Sequence, residues 1–228
     1  MICGGQKMTK LNRGGHKRQR KEAIKVVGPG NYLIVTEGTE TEVNYFNNIK
    51  RIIEHSFRNN IIVDRISLKV EGSGRSTTVL VNEAIKKRSL GTYSEVWVVF
   101  DKDENEDFDV AIALAKKEDL NVAWSNECFE LWLLLHFQDL KAVIPRADYY
   151  SKIGYHFKKR GINKGIYEKN MMGIFDITFS LVDIAIQRSK SLIYDYEKDG
   201  NFCPSKMNPC TTIQELVEKL IKYTKAKS

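Results

Sequence analysis

Regular hydrophobic patterning begins near residue 30, and strand-like and helix-like periods then alternate along the chain. Tyr32-Leu33-Ile34-Val35 is an apolar run of strand length, and Val43, Phe46, Ile49, Ile52 and Ile53 follow at helical spacing. Ile61 to Val70 predicts a second strand, alternating in its later part, and Ser76 to Lys87 a helix. The branched run Val96-Trp97-Val98-Val99-Phe100 predicts a strand buried on both faces. Val110 to Lys117 reads as a helix, Val122 to Trp124 as a short strand, and Phe129 to Phe137 as an apolar helix. Alternation of this kind predicts an α/β fold, a mostly parallel sheet flanked by helices. After Pro145 the pattern turns helical and basic, with helices predicted over Tyr149 to Arg160, Ile174 to Arg188 and Thr211 to Lys225. Residues 1–29 carry no apolar period and end at Gly28-Pro29-Gly30, so they read as a flexible basic arm. The expected organisation is an arm (1–29), a sheet core (30–140) and a basic helical region packed on it (141–228).

Composition narrows the class. An apolar fraction of 42% over 228 residues supports one sizeable core. No apolar run approaches the ~20 residues of a membrane helix, and the basic N-terminus lacks the apolar stretch of a signal peptide. The four cysteines form no CxxC pair and stand apart from suitably spaced histidines, which predicts free thiols in a reducing cytoplasm rather than a zinc site. The net charge of +7 is segregated. Residues 1–30 carry 8 Lys/Arg against 1 Asp/Glu, residues 31–140 carry 12 against 19, and residues 141–228 carry 16 against 9. An acidic centre between basic segments suits a cation-binding site that serves a polyanion.

The acids of the middle third concentrate where the predicted strands end. The first strand leads into Thr36-Glu37-Gly38, with Glu42 in the next helical turn, and the third leads into Asp101-Lys102-Asp103. Ligands of open parallel sheets bind beyond the carboxyl ends of the strands. If these two strands are neighbours, Glu37, Asp101 and Asp103 converge as hard oxygen ligands for Mg²⁺ or Mn²⁺. The plain alternative is that Asp101 starts a turn, and that the acids from Glu104 to Asp109 decorate a helix N-terminus where the dipole favours them.

A strand ending in Glu-Gly, then a helix, then a strand ending in Asp-x-Asp resembles the pattern of Toprim domains. More specifically, VTEGTETEVNYF, VVFDKDE and SNECFELWLLLHF resemble three motifs of the RloB-like proteins of bacterial defence loci, and NPCTTIQELVEKL is similar to a C-terminal segment of that family. The resemblance spans roughly residues 30–220. Val43 and Glu127 stand where the family pattern has proline, and Thr39 where an acid is frequent; none of these removes an expected metal ligand. The resemblance implies a Toprim-like, metal-dependent nuclease of anti-phage defence, often paired with an ATPase encoded nearby.

Other residues read two ways. Glu130 is either a dipole-favoured acid at a helix start or, with Glu42, a second-ion ligand or water-orienting base. His136 lies six residues further on, projects from a different face, and reads as a packing histidine. Lys164, in GINKGIY, resembles a family segment after the third motif; it is either a charge neutraliser for a pentavalent phosphorane or one more surface lysine. GSGRST (residues 72–77) is a phosphate cradle or a plain capped turn, and it lacks P-loop spacing, so ATP hydrolysis is not expected in this chain. Lys17, Arg18, Arg20 and Lys21 of the arm, with Lys158, Lys159 and Arg160, are the expected nucleic-acid contacts. Nothing selects DNA over RNA, and tRNA stands as a target by analogy alone. The rival expectation is a non-catalytic subunit that binds nucleic acid or the ATPase.

Overall fold

The apolar runs at Tyr32 and Val96 become adjacent strands in a computed structural model that describes residues 30–38, 40–56, 61–65 and 77–224. In chain order the elements are β1 (Tyr32–Thr36), α1 (Thr41–Ser56), β2 (Ile61–Arg65), α2 (Thr77–Ser89), β3 (Glu95–Asp101), α3 (Phe108–Lys117) and β4 (Asn121–Asn126). Then follow α4 (Glu130–Leu135), α5 (Arg146–Arg160), α6 (Ile174–Thr178), α7 (Val182–Lys198), β5 (Cys210–Thr211) and α8 (Ile213–Ile221). The sheet order is β2-β1-β3-β4-β5, parallel throughout except for the short antiparallel β5. The chain is thus α/β with a mostly parallel, helix-flanked sheet. Because β2 and β3 lie on opposite sides of β1, the winding reverses between β1 and β3, and a crevice opens at their carboxyl ends.

Burial explains the strands. Every residue of β1 and the central five of β3 are buried, as parallel strands covered on both faces require. Helix α4 is buried on all sides, Glu130 included, so it is a core helix rather than an amphipathic one. Tyr45 packs edge-on against Phe46, Phe129, Trp132 and Phe175, joining α1, α4 and α6 in one aromatic cluster. The core is continuous from Leu33 on β1 to Leu216 on α8. Among the described residues no helix is long and apolar enough to cross a membrane.

Several elements differ from their sequence pattern. The stretch predicted as one helix from Ile174 to Arg188 is broken: α6 ends at Thr178, a 3₁₀ turn covers Phe179–Leu181, and α7 runs on to Lys198. Thr178 turns its hydroxyl back onto the Ile174 and Phe175 carbonyls, a competition with the backbone ladder that bends helices. Helix α5 starts at Arg146, directly after Pro145, and stops at Gly161 in the left-handed region (φ 68). The segment expected to begin a helix at Thr211 first pairs with β4. The Thr211 hydroxyl donates to the Trp124 carbonyl (3.0 Å), and the Thr212 hydroxyl accepts from the Trp124 amide (2.9 Å). The second strand is described to Arg65, and its predicted extension to Val70 lies outside the described residues, as does the arm with Lys17, Arg18, Arg20 and Lys21.

Candidate functional site

The parallel register places Thr36 beside Val99, so β1 and β3 deliver their next residues to one edge. The Glu37 amide donates to the Val99 carbonyl (2.9 Å), and the Asp101 amide reaches one oxygen of the Glu37 carboxylate (3.3 Å). Asn105, fully buried four residues after Asp101, donates to the Asp101 carbonyl (3.2 Å) and reaches the other Glu37 oxygen (3.5 Å). Its Oδ1 is buried with no hydrogen-bond partner. Glu42 projects from the first turn of α1 back over Gly38: a Cβ at that position would fall 2.0 Å from a Glu42 carboxylate oxygen. The glycine after Glu37 is therefore what lets Glu42 lie there. Glu130, at the start of α4 and only 2% exposed, accepts from the Tyr167 hydroxyl (3.0 Å).

These four carboxylates stand close enough to feel one another's charge, Glu130 buried and Glu37, Glu42 and Asp101 half-buried. Burial, then the charges of Glu42, Glu130 and Glu37, push Asp101 well above the usual carboxylate range, against a hydrogen bond from the Phe129 amide. Burial also raises Glu42 to about 7, aided by Glu130 and Glu37 and opposed by a backbone hydrogen bond and by Lys169. Such an arrangement is costly unless a cation offsets it. The donors are all hard oxygens, and an orphaned amide oxygen lies beside them, so the residues fit a divalent ion of the Mg²⁺ or Mn²⁺ type. Among the described residues, however, no three Asp, Glu, His or Cys side chains already stand in a metal-holding arrangement. The acids are near enough to repel one another and have not closed around a common point.

A family model described as RloB-like protein matches residues 32–220, from the first strand through almost all of α8. The chain belongs to the RloB-like protein family. No curated protein and no solved structure matches it. In this RloB-like chain the match takes in every strand of the sheet and all four converging carboxylates.

Two residues expected at the centre are placed otherwise. Asp103, held at φ 37, turns its carboxylate to Arg146 (2.6 Å) at the start of α5. Burial works against the guanidinium charge there, and the hydrogen bond and charge of Asp103 more than offset it. Lys164 is exposed, in a 3₁₀ turn over Asn163–Gly165. The lysine beside the acids is Lys169, whose ammonium is kept charged by Glu130 against the effect of burial. Its carbonyl accepts from Thr41 (2.9 Å), and its Nζ lies 5.9 Å from the centre of the Tyr150 ring. Tyr150 stacks on Tyr167 with ring centres 5.5 Å apart. Arg146, Tyr150, Tyr167, Lys169 and Asn105 were not singled out by sequence reasoning. The one available signal was their proximity to predicted residues: Asn105 follows the Asp-x-Asp pair, and Tyr167 and Lys169 follow Lys164.

The remaining candidates sort cleanly. The α2 N-terminus, where GSGRST ends, already faces a carboxylate, since the Thr77 and Thr78 amides donate to Asp107 (3.0 and 2.8 Å). A phosphate there would meet that carboxylate; residues 72–76 themselves lie outside the described part. His136 is a packing residue: its Nδ1 faces the Trp132 carbonyl (3.0 Å), and burial lowers it to about 4. Lys158, Lys159 and Arg160 are exposed at the end of α5.

Proposed function

We propose that this RloB-like chain is a Toprim-like, divalent-metal-dependent phosphodiesterase that cleaves nucleic acid in bacterial anti-phage defence, acting in the cytoplasm beside an ATPase partner. The observation that carries this reading is the convergence of Glu37, Asp101, Glu42 and Glu130 at the β1–β3 crevice, where burial and mutual repulsion raise two of their pKa values. Glu37 and Asp101 would hold Mg²⁺ or Mn²⁺, with Glu42 or Glu130 completing the set. Bound there, the metal supplies Lewis-acid polarisation of a phosphodiester and an acidified water. The chain's own groups do the rest. Asn105 and the Asp101 amide fix both oxygens of Glu37. Tyr167 and Lys169 orient and balance Glu130. Whichever of Glu42 and Glu130 does not complete the ligand set would take the proton from water. Arg146 and Lys169 place positive charge beside the acids, where a phosphate would dock.

A second reading, a non-catalytic subunit that holds nucleic acid or the ATPase, is favoured by the engagement of Asp103 with Arg146 and by the unassembled ligand set. Purified protein, with and without its genomic neighbour, should be incubated with DNA and total RNA in Mg²⁺ or Mn²⁺. Cleavage that chelation stops and Asp101→Asn abolishes is the expected result. Cleavage that survives Asp101→Asn, or none under any of these conditions, overturns the nuclease reading.

A further inference from the structure

His156 is a neutral imidazole set among cations. Its ring stacks on Phe137, with centres 5.4 Å apart and planes 15° from parallel, and meets Tyr155 edge-on (5.5 Å). The Arg160 guanidinium leans over the same Phe137 ring, 4.9 Å from its centre, and Lys159 Nζ lies 4.5 Å from the centre of Tyr155. Lys152, His156, Lys159 and Arg160 stand at i, i+4, i+7 and i+8 on α5, one stripe of that helix, and Arg188 joins them from α7. Hydrogen bonding fixes the tautomer. A guanidinium only donates, so the contact from Arg160 Nη1 to Nδ1 (3.4 Å) makes Nδ1 the acceptor, and Nε2 carries the proton that it gives to Gln138 Oε1 (2.8 Å). Burial, then the charges of Arg160, Lys159, Arg188 and Lys152, hold the ring below its ordinary range. Asp139, the acid contributed by the loop after α4, is bound to Arg188 Nε (3.0 Å). The helix dipole suits cations in the last turn of α5, but Lys152 lies two turns earlier and Arg188 on another element, so the dipole does not account for the cluster.

We infer that His156 and Arg160 form a phosphate-binding clasp that takes up a proton when it closes on the backbone of a nucleic acid. The inference rests on the nucleic-acid reading above and adds a contact point and its chemistry. In the free chain a proton on Nδ1 would face the Arg160 guanidinium, so two donors would oppose each other. A phosphodiester oxygen seated between them accepts from both, and its charge offsets the repulsion that keeps the ring neutral. The sign follows by linkage. Binding strengthens the hold of His156 on a proton, so protonation strengthens binding equally, and affinity rises as pH falls. The stripe lies on a different side of α5 from Arg146 and Tyr150, so the clasp is an anchoring point apart from the acidic centre.

The test is titration calorimetry of the full chain with a DNA and an RNA oligonucleotide, in EDTA so that cleavage plays no part. Runs in two buffers of different ionisation enthalpy count the protons exchanged on binding. Wild type should take up more protons than His156→Gln, by at most about one per chain; the carboxylates of the acidic centre are common to both and cancel. From pH 8 to pH 6, wild-type affinity should tighten at least about threefold more than that of His156→Gln. Arg160→Gln should weaken binding at least about threefold and lower the slope of log affinity against log salt by about 1. A measure that needs no variant is the imidazole resonance of His156 through a pH titration, whose midpoint should move up when oligonucleotide is present. Equal uptake by wild type and His156→Gln, an unmoved midpoint, or an inert Arg160→Gln overturns the inference. The outcome is separable from that of the function proposed above. Binding without this proton linkage removes the clasp and leaves the nucleic-acid reading. Linked binding without metal-dependent cleavage keeps the clasp and removes the enzyme, and no binding of either oligonucleotide removes both.

Discussion

Asp101 and Glu42 are folded into a state that resists ionisation, and that fixes how the protein should respond to pH. The carboxyl of Glu42 has an ordinary value of 4.5 and is raised to about 7 in the fold. A raised acid contributes stability that is greatest below about pH 4.5 and is lost as pH climbs to about 7. His136 works in the opposite sense, since its fall from 6.5 to about 4 gives stability above pH 6.5 that is lost on acidification. Comparing Glu42→Gln with wild type cancels the histidine, which is common to both. Without metal, the variant should melt higher at pH 7–8 by a few degrees, each kcal/mol being about 2–4 °C at this chain length, and the gap should close near pH 4.5. Calorimetry in EDTA across that range checks it; a constant gap would mean that the repulsion is not felt. Asp101→Asn should likewise raise the metal-free midpoint and lose the upward shift that Mg²⁺ or Mn²⁺ is expected to give wild type. At this scale the sequence was informative for acids and poor for their neighbours. Strand ends locate Glu37 and Asp101 by a topological rule, whereas Arg146 arrives at the start of α5 and Lys169 on the segment that returns along that helix, contacts that no local period encodes.

Among the elements, α4 combines the core with the site. Its first residue, Glu130, belongs to the acidic centre, and the five that follow are all buried. Trp132 packs edge-on against Tyr45 and His136, so Trp132→Ala would empty a large volume in the middle of that layer. The expected cost is about 3–5 kcal/mol, readable as a lower urea midpoint with the slope unchanged. A loss below about 1 kcal/mol would show that the core collapses around the gap. The apolar run Phe129 to Phe137 made this helix legible in the sequence, because a fully buried helix needs no amphipathic period. Helix α7 was half legible: Leu192, Ile193 and Tyr196 continue its packed face beyond Arg188 until Gly200 (φ 74) ends it. Strand β5 was not legible, since two residues cannot show a period and its pairing depends on the Thr211 and Thr212 hydroxyls meeting β4.

Across the whole molecule, the proposed function assigns the basic segments to holding a polyanion and the acidic centre to acting on it, and the variants should separate in the same way. Deleting residues 1–29 removes eight basic residues and should flatten the salt dependence of nucleic-acid binding without loss of the fold; an unchanged slope would make the arm a passive tail. Changes in the acidic centre should spare binding and strike cleavage. Glu37→Gln keeps the shape but offers one carbonyl oxygen where two oxygens now accept from Asn105 and the Asp101 amide, and it removes charge from the proposed ion site. Cleavage should fall at least about a hundredfold, the scale of several kcal/mol of lost transition-state stabilisation. Asp103→Asn decides between two roles. As a metal ligand it should match Glu37→Gln; as the partner that holds Arg146 it should cost far less, and Arg146→Ala should reproduce its defect. A phage-protection assay at matched expression, read beside gels of cellular DNA and RNA, tests all three variants in one setting. Full protection by Glu37→Gln would end the nuclease hypothesis, because a non-catalytic subunit is the arrangement that tolerates loss of that charge.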